Sequence, residues 1–441
     1  MIEAVRNAWN LPDLRKRFII TALVLAVYRL AAHVPVPGVD REALAALTSG
    51  DTAASSFIGI LDMLSGGTVA NFSILAMGVY PYITASIVIQ LLTPIIPALE
   101  ALDREGEAGR NKKNIYTYYL AIPMAALNAV GQIRLFSAGA FTGGYPLMPD
   151  FGFGAESWLP SLTTVVTMTA GTMFAIWLGE LITEQGIGNG LSIIIFGGIA
   201  SQMPLNIARL LTDEQNRWLY LSIFAIVTII TVFFIVVVQE GTRRIPVQYG
   251  KRVRGRRQYS GGSTHLPMKV NTAGMIPLIF AQALLTFPAV VAQFFVGSES
   301  EALSNIANTV TSNLGQASGW FYWVAYFLMV VGFTYFYTDV MVQQQNLPEM
   351  LRRQGGFVPG IRPGRPTQEY LNGVTRRITA AGALFLGIVA VIPGLIQLFG
   401  IEARILVISS SGLLIVVGVV IDTMRQLESQ LLMRNYEGFI K

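Results

Sequence analysis

The sequence contains no cysteine, only two histidines and few charged side chains. Without cysteine, disulfides, thiolate nucleophiles and cysteine-ligated metal sites are excluded, and His33 and His265 are too few for a histidine metal cluster. Charged residues form 13% of the 441 residues, which is about half of the usual globular fraction, whereas hydrophobic residues form 53%. This balance predicts a polytopic membrane protein. Because the N-terminal residues are polar and no small-residue cleavage site follows the first apolar run, we expect no cleavable signal peptide.

Ten apolar runs are long enough to cross ~30 Å of hydrocarbon as helices. They lie near residues 18–34, 74–97, 115–136, 159–179, 190–211, 218–239, 272–297, 320–338, 378–400 and 405–421. A further stretch, residues 57–72, is apolar but contains Asp62, Gly66, Gly67 and Asn71. Such a stretch is too polar to face lipid, although non-helical backbone is tolerated at membrane depth where protein or water surrounds it. We therefore predict a re-entrant half-helix there.

Basic side chains concentrate in alternate connecting segments. An even number of spans places both termini on one side, and the segments on that side hold 25 of the 31 Lys and Arg residues. Because Lys and Arg accumulate on the cytoplasmic side of membrane proteins, we predict that both termini are cytoplasmic.

Ten spans divide into two halves of five, and an odd number per half makes the second half start from the opposite side, as in inverted repeats. The second span contains GVYP (Gly78–Pro81) and the seventh contains GMIP (Gly274–Pro277). Since proline removes a backbone hydrogen bond and kinks a helix, we expect paired, bendable helices facing each other at the repeat interface. The alternative is coincidence, because Gly and Pro are common in membrane helices.

The interiors of spans two to ten contain no Asp, Glu, Lys, Arg or His. An ion-coupled secondary transporter normally places ionisable groups there, and a membrane-embedded enzyme would need clustered polar catalytic groups. The Gly-rich QGIGNG stretch (185–190) follows a helix and has no Lys, so it predicts a turn and not a nucleotide site. The sequence therefore favours a passive conduit with an apolar constriction over these two alternatives, and we expect no catalytic residue, cofactor or metal.

Five long stretches resemble the SecY family, the channel subunits of the bacterial Sec protein translocase. They are HVPVPGVD (33–40), FSILAMGVYPYITASIVIQLL (72–92), GTMFAIWLGELITEQGIGNGLSIIIFGGI (171–199), STHLPMKVNTAGMIPLIFA (263–281) and GGFVPGIRPGRPTQEYLN (355–372). The likeness covers essentially the whole chain in order. It implies an all-α polytopic membrane protein of the bacterial cytoplasmic (inner) membrane, with ten transmembrane helices in two inverted five-helix halves plus a re-entrant half-helix plug.

The resemblance also implies a domain organisation. Residues 1–17 form a cytoplasmic N-terminal segment, 18–211 the first half, 212–423 the second half, and 424–441 a cytoplasmic tail. The second half carries two cytoplasmic loops, 240–271 and 339–377. The function implied is a protein-conducting channel that passes unfolded secretory polypeptides and releases transmembrane segments sideways, between spans two/three and seven/eight.

Three groups of channel residues follow from the resemblance. A ring of aliphatic side chains seals the waist of such channels, although ordinary helix packing is the alternative for any one of them; the ring positions are Val79, Ile83, Leu191, Ile195, Ile279 and Ile415. The family usually favours Ile, so Val79 and Leu191 are mild departures. The plug residues are Phe57, Ile60, Leu61, Asp62, Leu64, Gly66 and Gly67. The lateral-gate residues are Gly78, Pro81, Gln90, Asn271, Gly274 and Pro277, of which Gln90 and Asn271 are expected to tie the gate helices together by ~0.6 kcal/mol each.

The loop 240–271 holds eight basic residues and one acid. A plain topology signal and binding of anionic membrane lipid are alternatives to a docking surface, but the interspersed Pro, Tyr and Gly residues suggest an ordered hairpin. In the family this loop and the segment 351–366 receive the ribosome, through rRNA phosphates, and the SecA motor ATPase. The docking residues are Arg243, Arg244, Lys251, Arg252, Arg254, Arg256, Arg257 and Arg362. The other partners implied are the SecE and SecG subunits, signal sequences and nascent polypeptides.

Overall fold

The computed structural model describes most of the chain. The described residues are 9–40, 68–69, 71–137, 148, 151–152, 154, 157–211, 217–249, 252–254, 257–259, 263–293, 295, 300–314, 319–345, 347–362, 364–398 and 410–437. The predicted plug residues Phe57 to Gly67 and the docking residues Lys251 and Arg256 lie outside them.

The described part of the chain is mainly helical. Its helices are α1 (Pro12–Ala31), α2 (Tyr80–Leu92), α3 (Pro97–Arg104), α4 (Glu107–Ser137), α5 (Trp158–Gln185), α6 (Gly190–Leu211), α7 (Arg217–Glu240), α8 (Ile276–Gln293), α9 (Glu301–Leu314), α10 (Trp320–Gln345), α11 (Leu347–Gln354), α12 (Arg365–Leu398) and α13 (Ser410–Glu437). Its strands are β1 (Thr242–Tyr249), β2 (Arg252–Arg254), β3 (Arg257–Tyr259), β4 (Ser263–Lys269) and β5 (Gly356–Phe357).

Each of the ten apolar runs overlaps one of these helices. Among the described residues, 4 helices are long and apolar enough to cross a membrane by length and composition: Trp158–Gln185, Leu221–Glu240, Trp320–Val342 and Arg365–Ile396. The helical membrane-type fold is thus confirmed, whereas the number of ten spans stays a prediction. The sequence did not predict α3, α9 and α11 as separate helices.

The chain forms two compact units. The first comprises Met1–Phe224, Ala283–Tyr322 and Arg404–Lys441. In it α4 contacts α2 and α5, α5 contacts α1 and α6, and α6 contacts α13. Close packing of α4 follows from its small residues, since Ala121, Ala125 and Ala129 recur every four residues and are fully buried. Small side chains let neighbouring helices approach closely, which is the usual basis of helix packing in membranes.

The second unit comprises Ala225–Gln282 and Trp323–Ala403. Its strands form an antiparallel sheet in the order β4–β1–β5, with β2 and β3 paired separately. Strand β1 alternates between buried and exposed side chains, so that Ile245 and Val247 face a small core. That core is completed by Met268, Leu351, Val358 and Leu371. The sheet therefore packs on α11 and the start of α12, and the prediction of an ordered hairpin is confirmed.

Candidate functional site

The two Gly-x-x-Pro stretches begin helices, and the prediction that they kink helix interiors is wrong. Gly78 has φ +51° and Gly274 has φ +66°, a left-handed conformation that glycine adopts without a Cβ penalty. Helix α2 begins two residues after Gly78 and α8 begins two residues after Gly274. Pro81 and Pro277 are each the second helical residue, where proline gives up no intrahelical hydrogen bond. Helix α2 in the first predicted half and α8 in the second thus begin in the same way.

The predicted ring residues lie at or near helix N-termini. Val79 is the N-cap of α2, while Ile83 and Ile279 are each the fourth residue of their helices. In α6 the ring positions are the second and sixth residues, Leu191 and Ile195. Val79 and Ile415 are buried, at 5% and 1% exposure, and the other four are half-buried. Five of the six belong to the first unit and Ile279 belongs to the second.

Two glycines hold Leu191 close to α5. A Cβ atom at Gly190 would overlap the carbonyl oxygen of Gly179, and a Cβ at Gly179 would overlap the Leu191 side chain. The backbones of α5 and α6 are therefore nearly in contact at this point. Because α6 begins here, the close approach fixes where Leu191 and Ile195 lie.

The QGIGNG stretch is a turn between α5 and α6, as predicted. The Thr183 hydroxyl donates to the carbonyl of Gly179 at 3.0 Å and accepts from the amide of Gly190 at 2.9 Å. Helix α1 adds further contacts, since Thr21 accepts from the amide of Ile187 at 3.2 Å. Ile187 also packs with Leu14 of α1 and Leu427 of α13. The turn that precedes Leu191 therefore contacts both α1 and α13, the first and last helices that the structure describes.

The polar gate residues make local hydrogen bonds, and ties between the two gate helices stay a prediction. The Gln90 side-chain nitrogen donates to Ser86 Oγ at 3.1 Å, one turn earlier in α2. Asn271 precedes α8 and does not lie within it. Its carboxamide bonds both the amide and the carbonyl of Gly274.

A side-chain cluster around α2 was missed by sequence reasoning. Tyr118 of α4 donates a short hydrogen bond to Glu180 of α5, and its ring stacks on Tyr82 of α2 with centroids 5.4 Å apart. The cluster joins α2, α4 and α5 at one level. The available signal was an acid at the end of an apolar span, because a carboxylate at membrane depth calls for a partner.

The described end of the predicted half-helix 57–72, residues 68–69 and 71–72, forms turns, so the prediction of a helix is wrong there. Thr68, Val69 and Phe72 are at most 3% exposed. The amide of Val36 donates to the carbonyl of Phe72, and the amide of Ile74 donates to the carbonyl of Val34, each at 3.0 Å. The motif HVPVPGVD therefore pairs with the residues just before α2.

Of the predicted docking residues that the structure describes, Arg243 and Arg244 lie on a platform, which we define as β1, β4, β5 and α11. Arg243 and Arg244 on β1 are exposed, as is Arg362 after β5. The two loops predicted to be cytoplasmic are joined, because β1 pairs with β5 and Tyr249 donates to Gln354 at 3.3 Å. Arg252, Arg254 and Arg257 lie on the β2–β3 pair. Sequence reasoning had treated the loops as separate elements.

A model of the SecY family matches residues 73–424 of the chain. The chain is 43% identical to the protein translocase subunit SecY of Thermus thermophilus, over 100% of this chain and 98% of that protein. The chain belongs to the SecY family. Members of the SecY family are membrane channel subunits of protein translocases, and protein transport is the function of the family.

Two solved channels have a similar fold. One is a SecY protein whose plug domain stabilises the closed state and maintains a membrane seal, with a TM-score of 0.61, 19% identity and coverage of 94% of this chain and 92% of that one. The other is Sec61 in a canine ribosome–channel complex, with a TM-score of 0.57, 18% identity and the same coverage. At these identities the likeness shows the SecY/Sec61 fold.

Proposed function

We propose that the chain forms the pore through which unfolded secretory polypeptides cross the bacterial cytoplasmic membrane, and that it releases transmembrane segments sideways into the bilayer. The observation that carries this proposal is the matched start of α2 and α8. Each helix follows a left-handed glycine, has proline as its second residue and presents isoleucine as its fourth. Equivalent positions in two inverted halves are what a channel built around a pseudo-two-fold axis requires.

The seal is proposed to consist of Val79, Ile83, Leu191, Ile195, Ile279 and Ile415. A pore for polypeptides must accept varied side chains and still block ions. Branched aliphatic side chains offer ions no binding site, and a hydrophobic constriction gates by excluding water. The half-buried state of Ile83, Leu191, Ile195 and Ile279 supports this role, because these side chains are not fully enclosed by helix packing. Val79 and Ile415 are buried and are included on the strength of the resemblance.

A plug within residues 57–72 and a gate formed by the helices that carry Pro81 and Pro277 complete the proposed channel. Thr68, Val69 and Phe72 are buried, which favours a movable plug in the stretch before them. Signal sequences would enter between the gate helices. Both termini are proposed to be cytoplasmic, from the distribution of Lys and Arg.

The platform is proposed to dock the ribosome, through rRNA phosphates, and the motor ATPase SecA. Its exposed arginines support this, because guanidinium groups pair well with phosphates and carboxylates. The hydrophobic core against which its strands pack holds this surface in place. The Sec61 complex with a ribosome shows that a channel of this fold binds one. The subunits SecE and SecG are proposed partners on the strength of the resemblance.

A translocation assay tests the proposal. The chain is reconstituted with SecE and SecG in vesicles, and SecA, ATP and an unfolded secretory precursor are added outside. We expect precursor to become resistant to added protease, and to lose that resistance when detergent opens the vesicles. Protease resistance equal to that of vesicles without the chain would contradict the proposal.

A further inference from the structure

Asn271 lies between the platform and α8 and is 6% exposed. Its Oδ1 accepts from the amide of Gly274 at 2.9 Å, and its Nδ2 donates to the carbonyl of Gly274 at 3.1 Å. One carboxamide thus holds both backbone groups of the glycine whose left-handed conformation starts α8. A buried amide side chain with two backbone partners fixes the conformation that it bonds, because leaving either partner unpaired is costly.

The residues before Asn271 are fixed to the platform and to α12. The amide of Val270 donates to the carbonyl of Gly241 at 2.8 Å, which extends the β1–β4 pairing to the last residue before Asn271. A Cβ atom at Gly382 of α12 would lie 2.7 Å from the carbonyl oxygen of Val270. The strand end is therefore held between β1 and α12, and α8 begins a few residues later at Ile276.

We propose that Asn271 is a positioning residue that transmits the position of the platform to the first turn of α8 and so to Ile279. All the groups involved belong to the second unit. The connection between β4 and α8 has a glycine at its centre, and glycine is the most flexible residue. Without the carboxamide clamp, movement of the platform would be absorbed at Gly274; with it, the movement reaches α8. This inference rests on the proposed docking and sealing functions.

Amide hydrogen exchange of the full channel tests the positioning directly, without any partner. In Asn271→Ala, exchange at Gly274 rises because its acceptor is gone, whatever the role of the residue. The deciding amide is that of Leu278 in the first turn of α8, which donates to the carbonyl of Met275, the residue before the helix. We expect its exchange to rise by about tenfold, the scale expected for losing ordinary hydrogen bonds, while β1 amides remain protected.

Two further variants sharpen this measurement. Thr272→Val is the matched control, since it removes a neighbouring hydrogen bond to the carbonyl of Lys269 and should leave Leu278 unchanged. Asn271→Asp keeps the acceptor for Gly274 and should fall between wild type and Asn271→Ala. Unchanged protection of Leu278 in Asn271→Ala would overturn the positioning role, and faster exchange throughout β1 would show that the residue only stabilises the unit.

A spin label tests the transmission. The chain has no cysteine, so Leu284→Cys, at an exposed position of α8, can be labelled alone. Ribosomes at saturating concentration should change the label's mobility in this channel and in its Thr272→Val derivative. In the Asn271→Ala derivative we expect equal ribosome affinity but a response reduced at least about fivefold, the scale expected for a lost hydrogen bond. A full response there would overturn the transmission, and absence of ribosome binding to the wild-type channel would overturn docking and transmission together, while the exchange result still decides the positioning.

Discussion

At the contact between α5 and α6, the space available for a side chain is smaller than one methyl group. Gly190 and Gly179 place the two backbones so close that a Cβ at either position overlaps its neighbour. Gly332 in α10 shows the opposite situation, because a Cβ there would meet nothing within 4 Å. Neither Gly190 nor Gly332 has a left-handed backbone, so an alanine at either position adds no backbone strain.

Gly190→Ala should therefore destabilise the protein, whereas Gly332→Ala should not. Overpacking typically lowers the free energy of unfolding by about 1–3 kcal/mol, and the shift of α6 should also displace Leu191. Thermal unfolding of the purified variants in detergent checks this. Equal melting temperatures for the two variants would contradict the close approach.

The hydrogen bond between Tyr118 and Glu180 gives a second prediction. Tyr118→Phe keeps the ring stacked on Tyr82 and leaves the Glu180 carboxylate without this donor, so we expect a loss of about 1–3 kcal/mol in the free energy of unfolding. Tyr119→Phe is the matched control, because Tyr119 is the next residue on α4 and is 69% exposed. Chemical denaturation of both variants in mixed micelles measures the difference. Two indistinguishable curves would contradict the role of the hydroxyl.

Much of this detail could not be predicted from the sequence. The positions of Gly78, Pro81, Gly274 and Pro277 were singled out correctly as paired features, but their role was mistaken. A proline that starts a helix and one that kinks it look alike when apolar residues flank both sides. The structure places interior prolines elsewhere, at Pro123, Pro204, Pro288 and Pro393.

At the scale of elements, the basic hairpin was predictable and its partner was not. Alternating Ile245 and Val247 with exposed residues is a strand pattern, and the Lys and Arg content marked the loop as a surface. The pairing of β1 with β5 joins residues about a hundred positions apart and depends on tertiary packing that no local pattern reveals. The platform could therefore be recognised only from the structure.

Reversing charge on the platform should abolish docking. Arg243→Glu with Arg244→Glu is expected to weaken ribosome binding at least about tenfold, because two phosphate contacts are lost. Wild-type affinity should fall steeply with added salt, and the variant should show a shallower dependence. Binding of ribosomes to detergent-solubilised channel across a salt series provides the measurement.

The control is Arg110→Glu with Lys112→Glu, which changes the charge equally on a different predicted cytoplasmic segment. It should bind ribosomes as the wild type does. If the Arg243 and Arg244 variant retains wild-type affinity, the loop is only a topology signal.

Thr68, Val69 and Phe72 at the end of the predicted plug stretch are buried, so the plug is tested on the residues before them. Replacing residues 57–67 with a flexible Gly–Ser linker should leave the fold intact and raise ion conductance in the closed state. Extending the replacement to residue 72 removes the contacts of Val69 and Phe72 with their core and should lower thermal stability as well. Planar-bilayer recordings and melting curves distinguish these outcomes; a tight closed channel without residues 57–67 would argue against a plug.

For the whole molecule, composition and apolar runs were sufficient to predict a helical membrane protein. The SecY family was recognisable from long stretches such as 72–92 and 171–199, and the matches confirm it. The grouping of residues 283–322 with the first unit was not predicted, since the sequence pattern divides the chain into two consecutive halves. The number of spans, the orientation and the ring remain predictions.

Aliphatic side chains from helix N-termini are proposed to form the seal of a protein-conducting channel. Its most direct test is the ion conductance of closed channels in planar bilayers after Ile83, Ile195, Ile279 and Ile415 are together replaced by Ser. A matched control replaces four exposed isoleucines by Ser, namely Ile226, Ile229, Ile230 and Ile388. We expect a steady ion leak for the ring variant, because hydroxyls let water fill the constriction, and none for the control. Conductance at the wild-type closed level in the ring variant would contradict the proposed seal.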